Sequence, residues 1–109
     1  CGGDRDRTKR PVMGKIASEL ADLAVITSDN SRSENPRAII FDIIREITDR
    51  QKCRVVEKRA AAISFALGEA KRGDIVLLAG KGHEDYEIDS EGKHPFSERQ
   101  IVFDTLAKL

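Results

Sequence analysis

The sequence predicts an α/β domain in which a mainly parallel β-sheet is flanked by helices, with a short antiparallel hairpin near the C-terminus. The first reason is the order of the elements. Segments with apolar residues at helical spacing alternate with short β-branched runs, which requires crossover connections between parallel strands. The second reason is the run Ile-Val-Leu-Leu-Ala at residues 75–79, apolar at every position as is typical of a central parallel strand. Because the chain starts with Cys1 rather than Met, we expect residues 1–109 to be one domain of a longer protein whose first strand precedes Cys1.

The first half of the chain alternates helix and strand. Apolar residues at helical spacing predict a first helix over residues 8–21, and the run at 23–27 predicts a short buried strand. Asn35 as N-cap and Pro36 at the first helical position begin a second helix. Isoleucines recur at helical spacing as far as Ile47 and form the apolar face of that helix.

The second half of the chain continues this alternation. A weak strand is predicted at residues 54–56, and a third helix over 61–71 is ended by Gly73. A hairpin is predicted over residues 86–93. The spacing Ser-x-x-Gln from Ser97 predicts a capping box at the start of the last helix.

Composition and charge exclude several classes of function. The 19 basic and 19 acidic side chains give zero net charge, so we expect no general attraction to nucleic acid or to an anionic membrane. No apolar run approaches the ~20 residues that a membrane span needs, and we expect a cytoplasmic protein. Cys1 and Cys53 are expected to be reduced. With two histidines and no cysteines or aspartates clustered around them, we expect no metal site.

Three polar loops are predicted to meet at one edge of the sheet. Residues 29–32 and 80–84 each follow a predicted strand directly, and residues 2–4 would follow another if the preceding chain forms one. Ligands of open α/β sheets bind at the carboxyl ends of the strands. The sequence therefore predicts a single binding site built from all three loops.

Each loop carries groups suited to a charged ligand, and each also has a purely structural interpretation. Gly80 and Gly82 let backbone N–H groups approach a ligand, or they form an ordinary turn; the spacing is not that of a P-loop. Arg32 can bind a carboxylate in a bidentate fork and the Asn30 amide can donate or accept, or both belong to an Asx turn. The basic residues around Lys9 can hold phosphate oxygens at a helix N-terminus, or they form a solvated tail.

Taken together, these segments resemble the C-terminal domain of the Mur ligases, most closely of those that add diaminopimelate. The resemblance covers essentially all 109 residues in order and implies a Rossmann-like fold. Ser31 stands where proline is usual and so lacks a fixed φ, and Lys58 stands where aspartate is common. The motifs that carry the resemblance are Cys-Gly-Gly-Asp-Arg-Asp-x-x-Lys-Arg-Pro at 1–11, Thr-Ser-Asp-Asn-Ser-Arg-Ser-Glu-Asn-Pro at 27–36 and Ala-Gly-Lys-Gly-His-Glu-Asp-Tyr at 79–86.

The resemblance implies a reaction in two steps. ATP, with Mg²⁺, phosphorylates the terminal carboxylate of a UDP-N-acetylmuramoyl dipeptide, and the amine of the incoming amino acid then displaces phosphate. In this family the C-terminal domain binds the amino acid and closes over ATP. The phosphate-binding loop, the magnesium ligands and the UDP-binding region belong to the central and N-terminal domains of a three-domain enzyme. We therefore expect the 109 residues alone to lack ligase activity.

The resemblance also implies roles for particular residues, none of them catalytic and none a metal ligand. Arg32 favours meso-diaminopimelate over lysine, because lysine-adding relatives lack this arginine. The residues implied to bind meso-diaminopimelate are Arg5, Asn30, Arg32, Gly80 and Glu84. Those expected near the nucleotide or the acyl phosphate are Asp4, Lys9 and Arg10.

Two kinds of alternative remain. One is another ligase of the same superfamily, either a lysine-adding ligase or a folylpolyglutamate ligase. The other is a non-catalytic module that binds an amino acid or a cell-wall peptide. The presence of Gly-x-x-Gly-Lys-Thr upstream in the parent gene would separate the ligases from the binding module. A free-standing dinucleotide-binding domain is disfavoured because the Gly-x-Gly-x-x-Gly fingerprint is absent.

Overall fold

The computed structural model describes all residues from 1 to 109 and confirms a mixed α/β fold with a C-terminal hairpin. The first sheet is a parallel pair, and the second is antiparallel. None of the helices combines the length and the apolar character that crossing a bilayer would require. In chain order the elements are α1 (Lys9–Leu20), β1 (Ala24–Ile26), α2 (Pro36–Ile44), a 3-10 turn (Arg50–Lys52), β2 (Cys53–Val55), α3 (Arg59–Glu69), β3 (Tyr86–Asp89), β4 (Gly92–Pro95) and α4 (Glu98–Lys108).

The core lies where α1 and α2 pack beside the parallel pair β1 and β2. Its centre is formed by the isoleucine face of α2 together with Ile47, which was predicted to lie on the same face but follows the end of the helix at Ile44. Gly14 lets α1 approach α2 closely, since a Cβ on this residue would lie 2.0 Å from the carbonyl oxygen of Ile43. The buried core residues are Ala24, Ile26, Ile39, Ile40, Ile43, Ile47 and Cys53.

The predicted helix starts are largely confirmed, with differences in detail. The Asn35 side chain accepts a hydrogen bond from the backbone N–H of Arg37 at 2.9 Å, as expected of an N-cap. The Ser97 hydroxyl accepts from the N–H of Gln100 at 3.2 Å. The Gln100 amide donates to Asp104 at 2.9 Å instead of returning to Ser97, so only half of the capping box forms.

Residues 75–79, predicted as a central strand covered on both faces, pair with no strand in the structure. Ile75 is 93% exposed and Leu77 is 83% exposed, so one face of this extended segment is uncovered. Its carboxyl end is held by Arg59, whose Nη2 donates to the carbonyl oxygen of Ala79 at 2.9 Å. The prediction of a strand at residues 75–79 is therefore wrong for this structure, because a strand forms only where a neighbour pairs its backbone groups.

Candidate functional site

The three polar loops meet at one edge of the molecule. We call them the loop cluster, defined as residues 2–5, 29–34 and 80–84. The backbone N–H of Gly3 donates to the carbonyl oxygen of Asn30 at 2.9 Å, and the Asn30 side chain donates to Glu84 at 3.1 Å. The structure thus brings the three predicted segments into direct contact.

The first loop fits against the second because Gly3 has no side chain. A Cβ on Gly3 would lie 1.8 Å from the carbonyl oxygen of Ser31, so the two backbones touch. Asp4 adds to this contact, because its carboxylate accepts from the Ser33 hydroxyl at 2.6 Å and its N–H donates to Glu34 at 2.7 Å. Asp4, predicted to lie near a phosphate, therefore ties two loops together.

Arg32 and Arg5 supply positive charge at the loop cluster. Arg32 adopts φ of 53°, and its Nη1 donates to the carbonyl oxygens of Gly3 at 3.0 Å and Asn30 at 3.3 Å. The Nε and Nη2 groups of Arg32 have no protein partner. Arg5 is exposed and forms no ion pair or side-chain hydrogen bond. Both guanidinium groups therefore keep N–H donors free for a ligand.

The third loop supplies acceptors. Gly80 adopts φ of 114°, a conformation that favours glycine, and its carbonyl oxygen accepts no hydrogen bond. The Glu84 side chain is 32% exposed and uses Oε1 to accept from Asn30, which leaves Oε2 without a partner. A carbonyl oxygen and a carboxylate are the groups that bind an ammonium.

Two buried cations that the sequence analysis did not assign hold the loops in place. Lys81 is completely buried, and its Nζ lies 2.9 Å from Oδ1 of Asp29. The Arg59 side chain is 6% exposed and is paired with Glu98 at 2.8 Å. A lysine between two glycines is the sequence signal that could have drawn attention to Lys81, but its burial follows only from the tertiary contacts.

Arg10 is buried in an ion-pair cluster. Its side chain is 1% exposed and forms a bidentate pair with Glu34, at 3.0 and 2.9 Å. It also donates to Asp42 at 3.0 Å and to the carbonyl oxygen of Gly2 at 3.1 Å. Its remaining Nε is buried without a partner. Arg10 thus supports the first loop and presents no free donor to a phosphate, whereas Lys9 is exposed and unpaired.

The ion-pair cluster shifts the pKa values of its members. The hydrogen bonds with Glu34 raise the pKa of Arg10 further above its usual range, although burial opposes this. The same bonds, with the N–H of Asp4, lower the pKa of the Glu34 carboxyl. Burial alone would raise the pKa of Asp42, but the hydrogen bonds from Arg7 and Arg10 outweigh it and the pKa falls. These carboxylates are therefore charged at neutral pH.

A cavity of about 340 Å³ opens beside the loop cluster. Its walls include Ser31, the start of α3 at Lys58 and the strand residue Glu87, whose carboxyl pKa is raised by burial. None of the five residues implied to bind the amino acid lines this cavity. No group of three or more His, Cys, Asp or Glu side chains is placed to hold a metal ion.

The motifs and the fold agree with comparisons to known proteins. The family model described as "Mur ligase, glutamate ligase domain" matches residues 1–82. The chain belongs to this family. The matched span contains four of the five Mur ligase residues implied to bind the amino acid, namely Arg5, Asn30, Arg32 and Gly80.

The Mur ligase relatives extend the match to the whole chain. A UDP-N-acetylmuramoyl-L-alanyl-D-glutamate–2,6-diaminopimelate ligase of Clostridium acetobutylicum is 53% identical over all of this chain and 22% of that protein. The ligase of the same name from Trichormus variabilis is 58% identical over 92% of this chain and 20% of its own length. A solved structure of such a ligase superimposes with a TM-score of 0.93 at 38% identity, over 99% of this chain and 22% of that one. The chain spans about a fifth of the length of these relatives.

Proposed function

We propose that this chain is the C-terminal domain of a cytoplasmic, ATP-dependent ligase. The reaction adds meso-diaminopimelate to UDP-N-acetylmuramoyl-L-Ala-D-Glu in peptidoglycan synthesis. The observation that carries the proposal is the pairing of free donors and free acceptors in the loop cluster. Arg5 and Arg32 offer guanidinium N–H groups, while Glu84 and the Gly80 carbonyl offer acceptors. The relatives from Clostridium acetobutylicum and Trichormus variabilis are named as 2,6-diaminopimelate ligases.

This arrangement suits an amino acid that carries a carboxylate and an ammonium at its far end. A guanidinium binds a carboxylate in two parallel hydrogen bonds, so Arg5 and Arg32 are assigned to the distal carboxylate. Glu84 and the Gly80 carbonyl are assigned to the distal ammonium. Lysine has the ammonium but no distal carboxylate, and in that case Arg32 would face the ligand unpaired. The geometry therefore favours diaminopimelate over the lysine-adding alternative.

The chemistry requires that a carboxylate be converted into an acyl donor. ATP supplies the phosphoryl group, and Mg²⁺ offsets the charge of the phosphates when both are bound. The loop cluster holds the amino acid so that its reacting amine meets the acyl phosphate, and approach of the rest of the enzyme excludes the water that would hydrolyse this intermediate. An open cluster on the surface of the domain is consistent with a site completed by the central domain.

The residues of this chain are suited to only a small part of the ATP site. Lys9 at the start of α1 is an exposed cation without a partner, and no acidic side chain lies in the first turn of that helix. Arg10 and Asp4 position the loop that precedes Lys9. No residue cluster here suits Mg²⁺. We therefore assign the nucleotide phosphates to Lys9 in part, and the magnesium ligands to the central domain.

The experiment that tests this proposal measures ligase activity of the full-length parent enzyme. The assay contains ATP, the UDP-N-acetylmuramoyl dipeptide and either diaminopimelate or lysine. Arg32→Ala and Glu84→Ala are expected to raise the KM for diaminopimelate about 10- to 100-fold, because each removes a hydrogen bond to a charged group. Arg72→Ala and Glu69→Ala, which change exposed side chains outside the loop cluster, are expected to match wild type.

Two results would overturn the proposal. Equal use of lysine and diaminopimelate by the wild-type enzyme would refute the substrate. Wild-type KM values in both Arg32→Ala and Glu84→Ala would refute the site. A parent enzyme that binds diaminopimelate without consuming ATP would favour the non-catalytic binding module instead.

A further inference from the structure

Lys81 occupies an unusual position for a lysine, because its side chain is completely buried directly behind the proposed amino-acid site. Its Nζ donates to the carbonyl oxygen of Tyr86 at 2.7 Å and to Oδ1 of Asn30 at 3.2 Å. It also forms an ion pair with Asp29, whose Oδ1 lies 2.9 Å away. Two of the three ammonium donors are therefore engaged in hydrogen bonds, and the charge is paired with Asp29.

The rings around the ammonium add to this confinement. The Nζ of Lys81 lies 5.5 Å from the ring centroid of Phe96 and 6.0 Å from that of Tyr86. Such rings attract a cation through their negative faces. A buried lysine with two hydrogen bonds and an ion pair is held in one position, so it can in turn fix the groups that it contacts.

The Asn30 side chain is the group that Lys81 orients. Oδ1 of Asn30 accepts from Lys81 and also from the backbone N–H of Ile88, at 3.0 Å. Turning the amide around would place its NH₂ group against these two donors, so only one orientation satisfies the network. The Nδ2 group then points away from Lys81. One of its hydrogens is donated to Oε1 of Glu84 at 3.1 Å, and the other has no protein acceptor.

The same arrangement defines the free atom of Glu84. Oε1 accepts from Asn30 and lies 3.9 Å from the Lys81 ammonium. Oε2 has no partner on this chain. A free donor of Asn30 therefore lies beside a free acceptor of Glu84, and the Lys81 ammonium contacts the side chains of both residues.

We propose that Lys81 is a positioning residue that fixes Asn30 as a hydrogen-bond donor and Glu84 as an acceptor, and so sets the selectivity of the site for an amino acid with both a carboxylate and an ammonium at its distal end. This proposal rests on the proposed function of the loop cluster. Lys81 itself touches neither substrate nor nucleotide. Its effect is on the affinity for the amino acid, and it has no part in phosphoryl transfer.

The test uses the full-length parent enzyme and the variant Lys81→Met, which removes the charge and all three donors at similar length. We expect the KM for diaminopimelate to rise about tenfold or more, since the loss of a hydrogen bond to a charged group lowers affinity by about that factor. The KM values for ATP and for the UDP-linked dipeptide should stay within about twofold of wild type. The preference for diaminopimelate over lysine should fall. Lys71→Met, at an exposed lysine whose ammonium has no partner, is the matched control.

A purely structural role for Lys81 predicts a different pattern. In that case all three KM values, or the amount of folded enzyme, would change together. An unchanged KM for diaminopimelate in folded Lys81→Met enzyme would likewise overturn the proposal. If the wild-type enzyme does not use diaminopimelate at all, the proposed function itself is refuted. This result is obtained with the wild-type enzyme alone, so it is distinguished from a failure of the proposal for Lys81.

A second comparison covers the case in which Lys81→Met does not fold because Asp29 is left as a buried unpaired charge. The double variant Asp29→Asn with Lys81→Met removes both charges and is compared with Asp29→Asn alone. Relative to Asp29→Asn alone, the double variant is expected to show the same tenfold rise in the KM for diaminopimelate. In an Asn30→Gly background, which keeps the left-handed backbone, the Lys81 substitution should then change this KM less than about twofold. A tenfold effect that persists without Asn30 would show that Lys81 does not act through it.

Discussion

Replacement of Gly3 by alanine tests whether the close contact of two loop backbones assembles the proposed site. The added Cβ would lie 1.8 Å from the carbonyl oxygen of Ser31, and real Cβ contacts essentially never fall below 3.0 Å. The loops must therefore separate by at least the 1.2 Å between those two distances. Such a shift breaks the 2.9 Å hydrogen bond from Gly3 to Asn30 and the 3.0 Å bond from Arg32 to Gly3. The two bonds together contribute about 3 kcal/mol, one of them being charge-assisted.

The expected result is a fall in kcat/KM for diaminopimelate of about 100-fold, because a displacement of ~1 Å in a binding group has an effect of that size. The assay is the ligase reaction of the full-length parent at varied diaminopimelate. Gly68→Ala is the matched control, since a Cβ there meets no atom within 4 Å and alanine favours the helix. A Gly3→Ala enzyme with wild-type kcat/KM would refute the argument that this contact positions Asn30 and Arg32.

Three further predictions concern the buried charges. Arg10→Met leaves Asp42 with a weaker set of partners and should lower the free energy of unfolding by about 2 kcal/mol, measured in urea. The hydrogen bond from Arg10 lowers the pKa of Glu34, so its contribution is present above the unfolded-state pKa and is lost as the pH falls through the folded-state value. Unfolding followed against pH should show this acid loss in wild type but less of it in Arg10→Met, and identical acid slopes would contradict the assignment. Arg59→Met should release the carboxyl end of residues 75–79, seen as faster hydrogen exchange there and absent in Arg72→Met.

The helices could be predicted from sequence because their signals are local. Asn35 before Pro36 marks a helix start, and the isoleucines that follow have the helical period. The N-cap at Ser97 could likewise be predicted, because its hydroxyl accepts a hydrogen bond from the N–H of Gln100, only three residues away, and needs no distant partner. Several boundaries differ by one or two residues from the prediction, as at the start of α3 at Arg59. Two helix ends differ more: α2 ends at Ile44, before Ile47, and α3 ends at Glu69, so Gly73 does not end it.

The remaining features depend on contacts between distant parts of the chain. Lys9 and Arg10 are adjacent and equally basic, yet Lys9 is exposed while Arg10 is buried against Glu34 and Asp42. No local pattern distinguishes them, because the difference arises from where α2 and the second loop approach α1. The same holds for residues 75–79, whose composition is that of a covered strand, while burial requires layers on both sides.

Backbone strain identifies the loop cluster independently of any resemblance. The chain has three residues other than glycine with positive φ, and all of them lie in this cluster: Asp4 at 55°, Asn30 at 44° and Arg32 at 53°. Each such conformation costs of order 1–3 kcal/mol and persists only where surrounding contacts enforce it. Glycine would adopt the same backbone without that cost, so the side chains at these positions must contribute something that glycine cannot. Asn30 and Arg32 do so by presenting N–H groups that no protein atom accepts, which is the property expected of residues kept for a ligand.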